Sequence, residues 1–122
     1  MKTVMVVDDS RIMRNIVKNT FEVLKIPAQY LEAADGKSAM QLLLSNKVDL
    51  VLLDWNMPHL SGLDFLKQVR SMDQYKDLPI IMVTSESAKF NVIEAVKAGV
   101  TAYITKPFND KVFMEKLSKI SF

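Results

Sequence analysis

The run Leu50-Val51-Leu52-Leu53, closed by Asp54, constrains this chain more than any other stretch. Four consecutive apolar residues offer no polar face to water, so a strand built from them must be covered on both sides. That demands a sheet with helices above and below it. It also puts a carboxylate at the strand's C-terminal end, the edge where open α/β sheets form their ligand crevices. Pro58 and Gly62 follow, so the chain leaves this strand through a loop.

The same unit recurs along the chain. Thr3-Val4-Met5-Val6-Val7 reads as a first strand and ends at Asp8-Asp9-Ser10. Asp9 or Ser10 can cap a helix with Met13, Ile16, Val17, Phe21 and Leu24 on one stripe. Residues 30–33 form a short second strand, and Asp35-Gly36 a turn. Residues 37–44 make a second helix with Ala39, Leu42 and Leu43 inward. After the strand that ends at Asp54, a third helix carries Phe65, Leu66 and Val69. Residues 79–83 make a fourth strand, ending at Thr84-Ser85. Residues 86–98 make a fourth helix, closed by Gly99. Residues 102–104 make a fifth strand, ending at Lys106-Pro107, and Asn109 caps a last helix with Phe113, Leu117 and Ile120 inward. Five strand–helix units of this length predict an α/β fold: a doubly wound, five-stranded parallel sheet with helices on both faces, a (βα)5 flavodoxin-like three-layer sandwich. At 122 residues this is one domain, spanning residues 1–122.

The polar residues that follow four of the strands are Asp8-Asp9, Asp54, Thr84 and Lys106. A parallel sheet brings all its strand ends to one edge, so three carboxylates, a hydroxyl and an ammonium should converge there. Three clustered carboxylates repel, and Lys106 alone does not balance them. A hard divalent cation would. The chain has no cysteine, and its one histidine, His59, lies in a loop with a surface role expected. An all-oxygen donor set suits Mg²⁺ better than zinc. An aspartate beside Mg²⁺, an ammonium and a hydroxyl is equipment for phosphoryl transfer to a carboxylate. Other classes fit poorly. A net charge of +2 with dispersed lysines gives no nucleic-acid surface. The run Val4 to Val7 is too short for a signal segment or a membrane span, and the lack of cysteine fits a cytoplasmic protein. Gly36, Gly62 and Gly99 build neither a P-loop nor a dinucleotide fingerprint.

Through Val6-Val7-Asp8-Asp9-Ser10, Asp54-Trp55-Asn56-Met57-Pro58 with Ser61-Gly62, Val83-Thr84-Ser85, Ala98-Gly99 and Lys106-Pro107-Phe108, the chain resembles response-regulator receiver domains along essentially its whole length. Asp9-Ser10-Arg11, Met13-Arg14, Glu86 and Tyr103 add a resemblance to the stand-alone chemotaxis regulators of the flagellar motor. The chain's end at Phe122, soon after the fifth helix, strengthens the expectation that no output domain is attached. The resemblance implies that Asp54 is the phosphoacceptor, taking a phosphoryl group from a sensor histidine kinase. It implies that Asp9, Asp54 and the main-chain carbonyl of Asn56 hold Mg²⁺, with Asp8 acting largely through water. Lys106 would bind the phosphoryl oxygens and Thr84 would hydrogen-bond one of them. Tyr103 would be an aromatic switch that turns inward as Thr84 moves, and Asn56 and Glu86 would tune phosphoaspartate hydrolysis. The Lys106-Pro107 bond is expected to be cis. Ser85 departs from the alanine of many relatives.

The same resemblance implies a signalling switch rather than an enzyme acting on other molecules, monomeric, with neither nucleic acid nor membrane as partner. Its output face would be the fourth helix, fifth strand and fifth helix, with Lys89, Val92, Tyr103, Lys116 and Lys119 reading an acidic amphipathic peptide such as a flagellar-switch segment. Val92 is expected on the exposed side of a stripe that Ile93 helps define. A phosphatase is a further partner. A phosphorelay intermediate or phosphate sink is the alternative within the family. An aspartate-nucleophile phosphohydrolase is the enzymatic alternative, but it needs a second acid where Asn56 stands. A flavodoxin-like FMN binder needs a neutral phosphate loop where Asp8-Asp9 stand.

Overall fold

The apolar runs assemble into one sheet. In the computed structural model, which describes residues 1–120, the strands are β1 (Lys2–Val7), β2 (Ala28–Ala33), β3 (Leu50–Leu53), β4 (Ile80–Thr84) and β5 (Ala102–Thr105). They alternate with helices α1 (Arg11–Val23), α2 (Gly36–Ser45), α3 (Gly62–Arg70), α4 (Lys89–Lys97) and α5 (Asp110–Ser118). All pairings are parallel, in the order β2-β1-β3-β4-β5. The fold is therefore the doubly wound sandwich expected. Ser121 and Phe122 lie outside the described residues.

Side chains alternate across each strand, and the two sets build two cores. Met5, Val7, Val51, Leu53, Ile80 and Met82 meet α2, α3 and α4 through Ala39, Leu43, Phe65, Leu66, Val69 and Ala95. Val4, Val6, Leu50, Leu52, Ile81, Val83 and Ile104 meet α1 and α5 through Val17, Phe21, Phe113 and Leu117. The Phe21 and Phe113 rings meet edge to face with centroids 5.5 Å apart, an arrangement that suits the aromatic quadrupole. Four helices start on a side-chain cap: Ser10, Asp35, Ser61 and Asn109 accept from the N–H three residues on. Of the two caps open for α1, Ser10 is the one used.

Several details depart from the reading of the sequence. Ile16, expected inward on α1, is 41% exposed. On α4, Phe90, Ile93 and Val96 point outward while Ala95 is buried and Val92 is half-buried. Ile93 therefore does not define the inner stripe, and Val92 is not on the exposed side. The helix carries apolar residues on opposite faces, so periodicity could not choose between them. The sheet takes the face with the small Ala95 and Ala98. α4 also begins at Lys89, not at Glu86, because the preceding loop is held in other contacts described below. A short 3-10 turn, Asp73–Tyr75, was not expected; Tyr75 donates its hydroxyl to the Leu43 carbonyl at 3.2 Å. Ile120 lies just past α5 and is half-buried. Among the described residues no helix is long and apolar enough to cross a membrane.

Candidate functional site

β1 and β3 are neighbours paired from Val4↔Leu50 to Val7↔Leu53, so the two strands finish level. Asp8 and Asp54 therefore leave the sheet side by side, with the Asp54 N–H donating to the Val7 carbonyl at 2.9 Å. This is also where the order of the strands reverses, the crevice position of a doubly wound sheet. One carboxylate oxygen from each of Asp8, Asp9 and Asp54 lies within 4.8 Å of the others. Asp8 and Asp54 are buried and Asp9 is exposed.

Lys106, at the end of β5, closes the cluster from the far side. Its Nζ donates to Asp8 Oδ2 at 2.8 Å and stands 3.6 Å from Asp54 Oδ2. Asp8 Oδ1 accepts from the Ser10 N–H at 2.9 Å, and Asp54 Oδ1 from the Trp55 N–H at 2.8 Å. Asp54 Oδ2 thus faces the crevice beside the ammonium. Burial pushes the Asp54 carboxyl above the ordinary carboxylate range; the Thr84 hydroxyl and Lys106 pull the other way, and Asp8 adds to the rise. Thr84 is fully buried. The Lys106–Pro107 peptide is cis.

The loop after β3 passes close behind Asp54. A Cβ on Gly62 would lie 2.0 Å from the Asp54 carbonyl oxygen, so only glycine lets α3 start there. The loop after β4 is gathered on Glu86. Its carboxylate accepts from the side-chain amides of Asn56 at 2.9 Å and Asn91 at 3.1 Å, and its carbonyl accepts from the Tyr103 hydroxyl. Half-buried Tyr103 is thereby tied to the loop that follows Thr84. Burial raises the Tyr103 phenol pKa, with smaller contributions from Glu86 and Asp54.

Asp8, Asp9, Asp54, Thr84 and Lys106 meet at one edge, and Asn56, Glu86 and Tyr103 form a linked group beside them. Lys89 and Lys119 are exposed, and Lys116 is half-buried. Reading the sequence missed two contacts. Asn91 reaches Glu86 across the start of α4, with no local signal to mark it. Arg14 donates to the Asp8 carbonyl at 2.6 Å; a basic side chain near a helix start that has no acid in its first turn was the available clue. A cluster of carboxylate oxygens without nitrogen or sulfur donors fits a hard divalent cation, so the residues present suit Mg²⁺.

Residues 4–118 match the response regulator receiver domain family, and the chain belongs to it. It is a two-component signalling protein of the CheY type. It is 49% identical over 117 residues to the chemotaxis protein CheY homolog of Campylobacter jejuni, covering 95% of this chain and 89% of that one. It is likewise 49% identical over 117 residues to the chemotaxis protein CheY1 of Helicobacter pylori (strain ATCC 700392 / 26695), covering 95% and 94%. Among solved structures, Vibrio cholerae CheY4 superposes with a TM-score of 0.88 at 33% identity over 99% of each chain.

Proposed function

We propose that this chain accepts a phosphoryl group on Asp54 from a histidine kinase, in a Mg²⁺-dependent reaction, and then presents a changed surface to an output partner. The observation that carries this reading is Lys106 Nζ bound to Asp8 Oδ2 and standing 3.6 Å from Asp54 Oδ2, with the Asp9 carboxylate alongside. Asp8, Asp9, Asp54 and the Asn56 carbonyl would hold the cation. When bound, Mg²⁺ supplies charge neutralisation to the phosphoryl oxygens. Asp54 Oδ2 attacks phosphorus, the bond from phosphorus to the donor's imidazole nitrogen breaks, and its electron pair stays on the imidazole. Lys106 takes charge on the phosphoryl group and Thr84 donates to one of its oxygens. Asn56 and Glu86, which share a hydrogen bond, govern access of water to the phosphoaspartate.

Incubation with acetyl phosphate and Mg²⁺ should add one labile phosphate, seen by intact-mass spectrometry and absent in Asp54→Asn. A phosphate that persists in that variant overturns the assignment.

The output face runs over α4, β5 and α5. Exposed Phe90, Ile93 and Val96 give it an apolar centre, and Lys89 and Lys119 give it positive charge. That chemistry fits an acidic amphipathic segment, and relatives named as chemotaxis proteins point to a flagellar-motor partner. Thr84 and Tyr103 connect the site to this face through the Glu86 loop. A partner that prefers the phosphorylated arrangement binds it more tightly, typically by about 1–3 kcal/mol of coupling. An acidic amphipathic peptide titrated against wild type and Tyr103→Ala, with and without beryllofluoride, reads this out. Four equal affinities would remove the face from the signalling path.

A further inference from the structure

Arg14 sits where elementary electrostatics disfavours it. It lies near the start of α1, at the positive end of the helix dipole, and no acid in that helix's first turn offsets it. Its side chain is only 14% exposed. Two acceptors explain its presence. Nε donates to Glu32 Oε1 on β2 at 2.9 Å, and Nη1 donates to the Asp8 main-chain carbonyl at 2.6 Å. Lys18, one turn further along α1, holds the other Glu32 oxygen at 2.9 Å. Charge therefore alternates from Lys18 to Glu32 to Arg14 to the Asp8 carbonyl dipole.

The Asp8 main chain is fastened on both sides. Its N–H donates to the Ala33 carbonyl at 3.0 Å, and its carbonyl is held by Arg14. That carbonyl belongs to the peptide linking Asp8 to Asp9. A peptide unit is planar, so aiming its carbonyl fixes where the Asp9 Cα lies. The Asp9 carboxylate is exposed and forms no ion pair among the described residues. Its place in the acid cluster is thus set by the backbone beneath it.

We propose that Arg14 is a positioning residue: by holding the Asp8 carbonyl against Glu32, it sets where the Asp9 carboxylate stands for a divalent cation. This rests on the metal-site reading above. Residues that orient metal ligands from behind typically govern affinity by about 10–100-fold. A plain tie between α1 and β2 would instead affect stability alone.

Mg²⁺ titrations followed by Trp55 fluorescence, with melting curves, should compare wild type, Arg14→Ala, Arg14→Lys and Lys18→Ala. Arg14→Ala should raise the dissociation constant about 10–100-fold. Lys18→Ala, which loosens the same network without touching Asp8, should leave it within about twofold of wild type while lowering the melting temperature. Arg14→Lys should fall between, because one ammonium reaches the carbonyl or Glu32 but lacks the guanidinium fork that holds both. In metal-free ¹⁵N spectra, the Asp9 amide should move in Arg14→Ala and stay in Lys18→Ala. Unchanged Mg²⁺ affinity in Arg14→Ala, or equal weakening in Lys18→Ala, overturns the proposal. If wild type gives no Mg²⁺ response, the metal-site reading falls, and the Asp9 amide decides the positioning role: a shift specific to Arg14→Ala supports it and none overturns it.

Discussion

Asp54 holds its charge in a place that resists charge. Burial raises its carboxyl pKa, and Asp8 beside it adds to the rise. In the metal-free protein, the folded state therefore keeps a proton that the unfolded chain releases. The sign follows from linkage: over the window from the ordinary aspartate value up to the raised one, stability falls as pH rises, and the penalty is complete above that window. Asp54→Asn removes the titration. Its melting temperature should exceed that of wild type at neutral pH, and the gap should close as the pH drops below the ordinary aspartate range. A gap that widens on acidification would contradict the buried-charge account. Arg70, away from the site, is a second partly buried charge: burial lowers its guanidinium pKa and Asp77 pulls the other way, but its N–H donors are matched. Its guanidinium donates to the Gly99 carbonyl at 2.9 Å, the Tyr75 carbonyl at 2.7 Å and the Thr101 hydroxyl at 3.3 Å. Arg70→Ala removes these charge-assisted bonds, while the Ile80 and Leu78 N–H groups still serve the Thr101 hydroxyl and the Tyr75 carbonyl, and should cost roughly 1–3 kcal/mol in urea unfolding.

At the scale of elements, α3 and α4 behave against simple rules. Glycine inside a helix ordinarily gains stability on replacement by alanine, by roughly 1 kcal/mol. Gly62→Ala should do the reverse, because the new methyl would sit 2.0 Å from the Asp54 carbonyl and must displace backbone. Lower stability together with weaker phosphorylation would be the result; a neutral or stabilising change would mean that the loop yields freely. For α4, the apolar residues visible in the sequence are on the wrong side of the packing. Ile93→Ser should leave stability within about 0.5 kcal/mol, as expected for an exposed position. Ala95→Leu should lose about 1–3 kcal/mol by overpacking a position with no exposed surface. Thermal and urea unfolding of the two variants separates the observed inward face from the stripe through Ile93 expected from the sequence. Caps were more legible than faces. Ser61 and Asn109 act on N–H groups three residues away, a distance that a sequence can encode.

For the molecule as a whole, the acid cluster is assembled only in the folded state. A cation that binds it should stabilise the fold by about 2.7 kcal/mol at a hundredfold excess over its dissociation constant. Trp55 directly follows Asp54 and is the only tryptophan, so its emission should report the same event. Mg²⁺ that changes neither emission nor melting temperature would speak against the site. The two cores tie this edge to the rest of the chain. Each strand contributes side chains upward and downward, so any shift at Asp54 or Lys106 is resisted on both faces.

The alternation of strand and helix, and the polar residue that follows four of the five strands, were determined by the sequence itself. Burial on both faces demands unbroken apolar runs such as Leu50-Val51-Leu52-Leu53, and such runs announce themselves locally. The meeting of Asp8 with Lys106, 98 residues away, follows from the same logic, because every parallel strand ends at one edge. The strand order was not legible. It depends on which face each crossover takes, and no local pattern records that choice. Nor was the hold of Arg14 on the Asp8 carbonyl, since a main-chain acceptor is the same whatever side chain it carries. The inward face of α4 was settled only by tertiary packing, where the space over the sheet admits Ala95 and turns Phe90, Ile93 and Val96 outward.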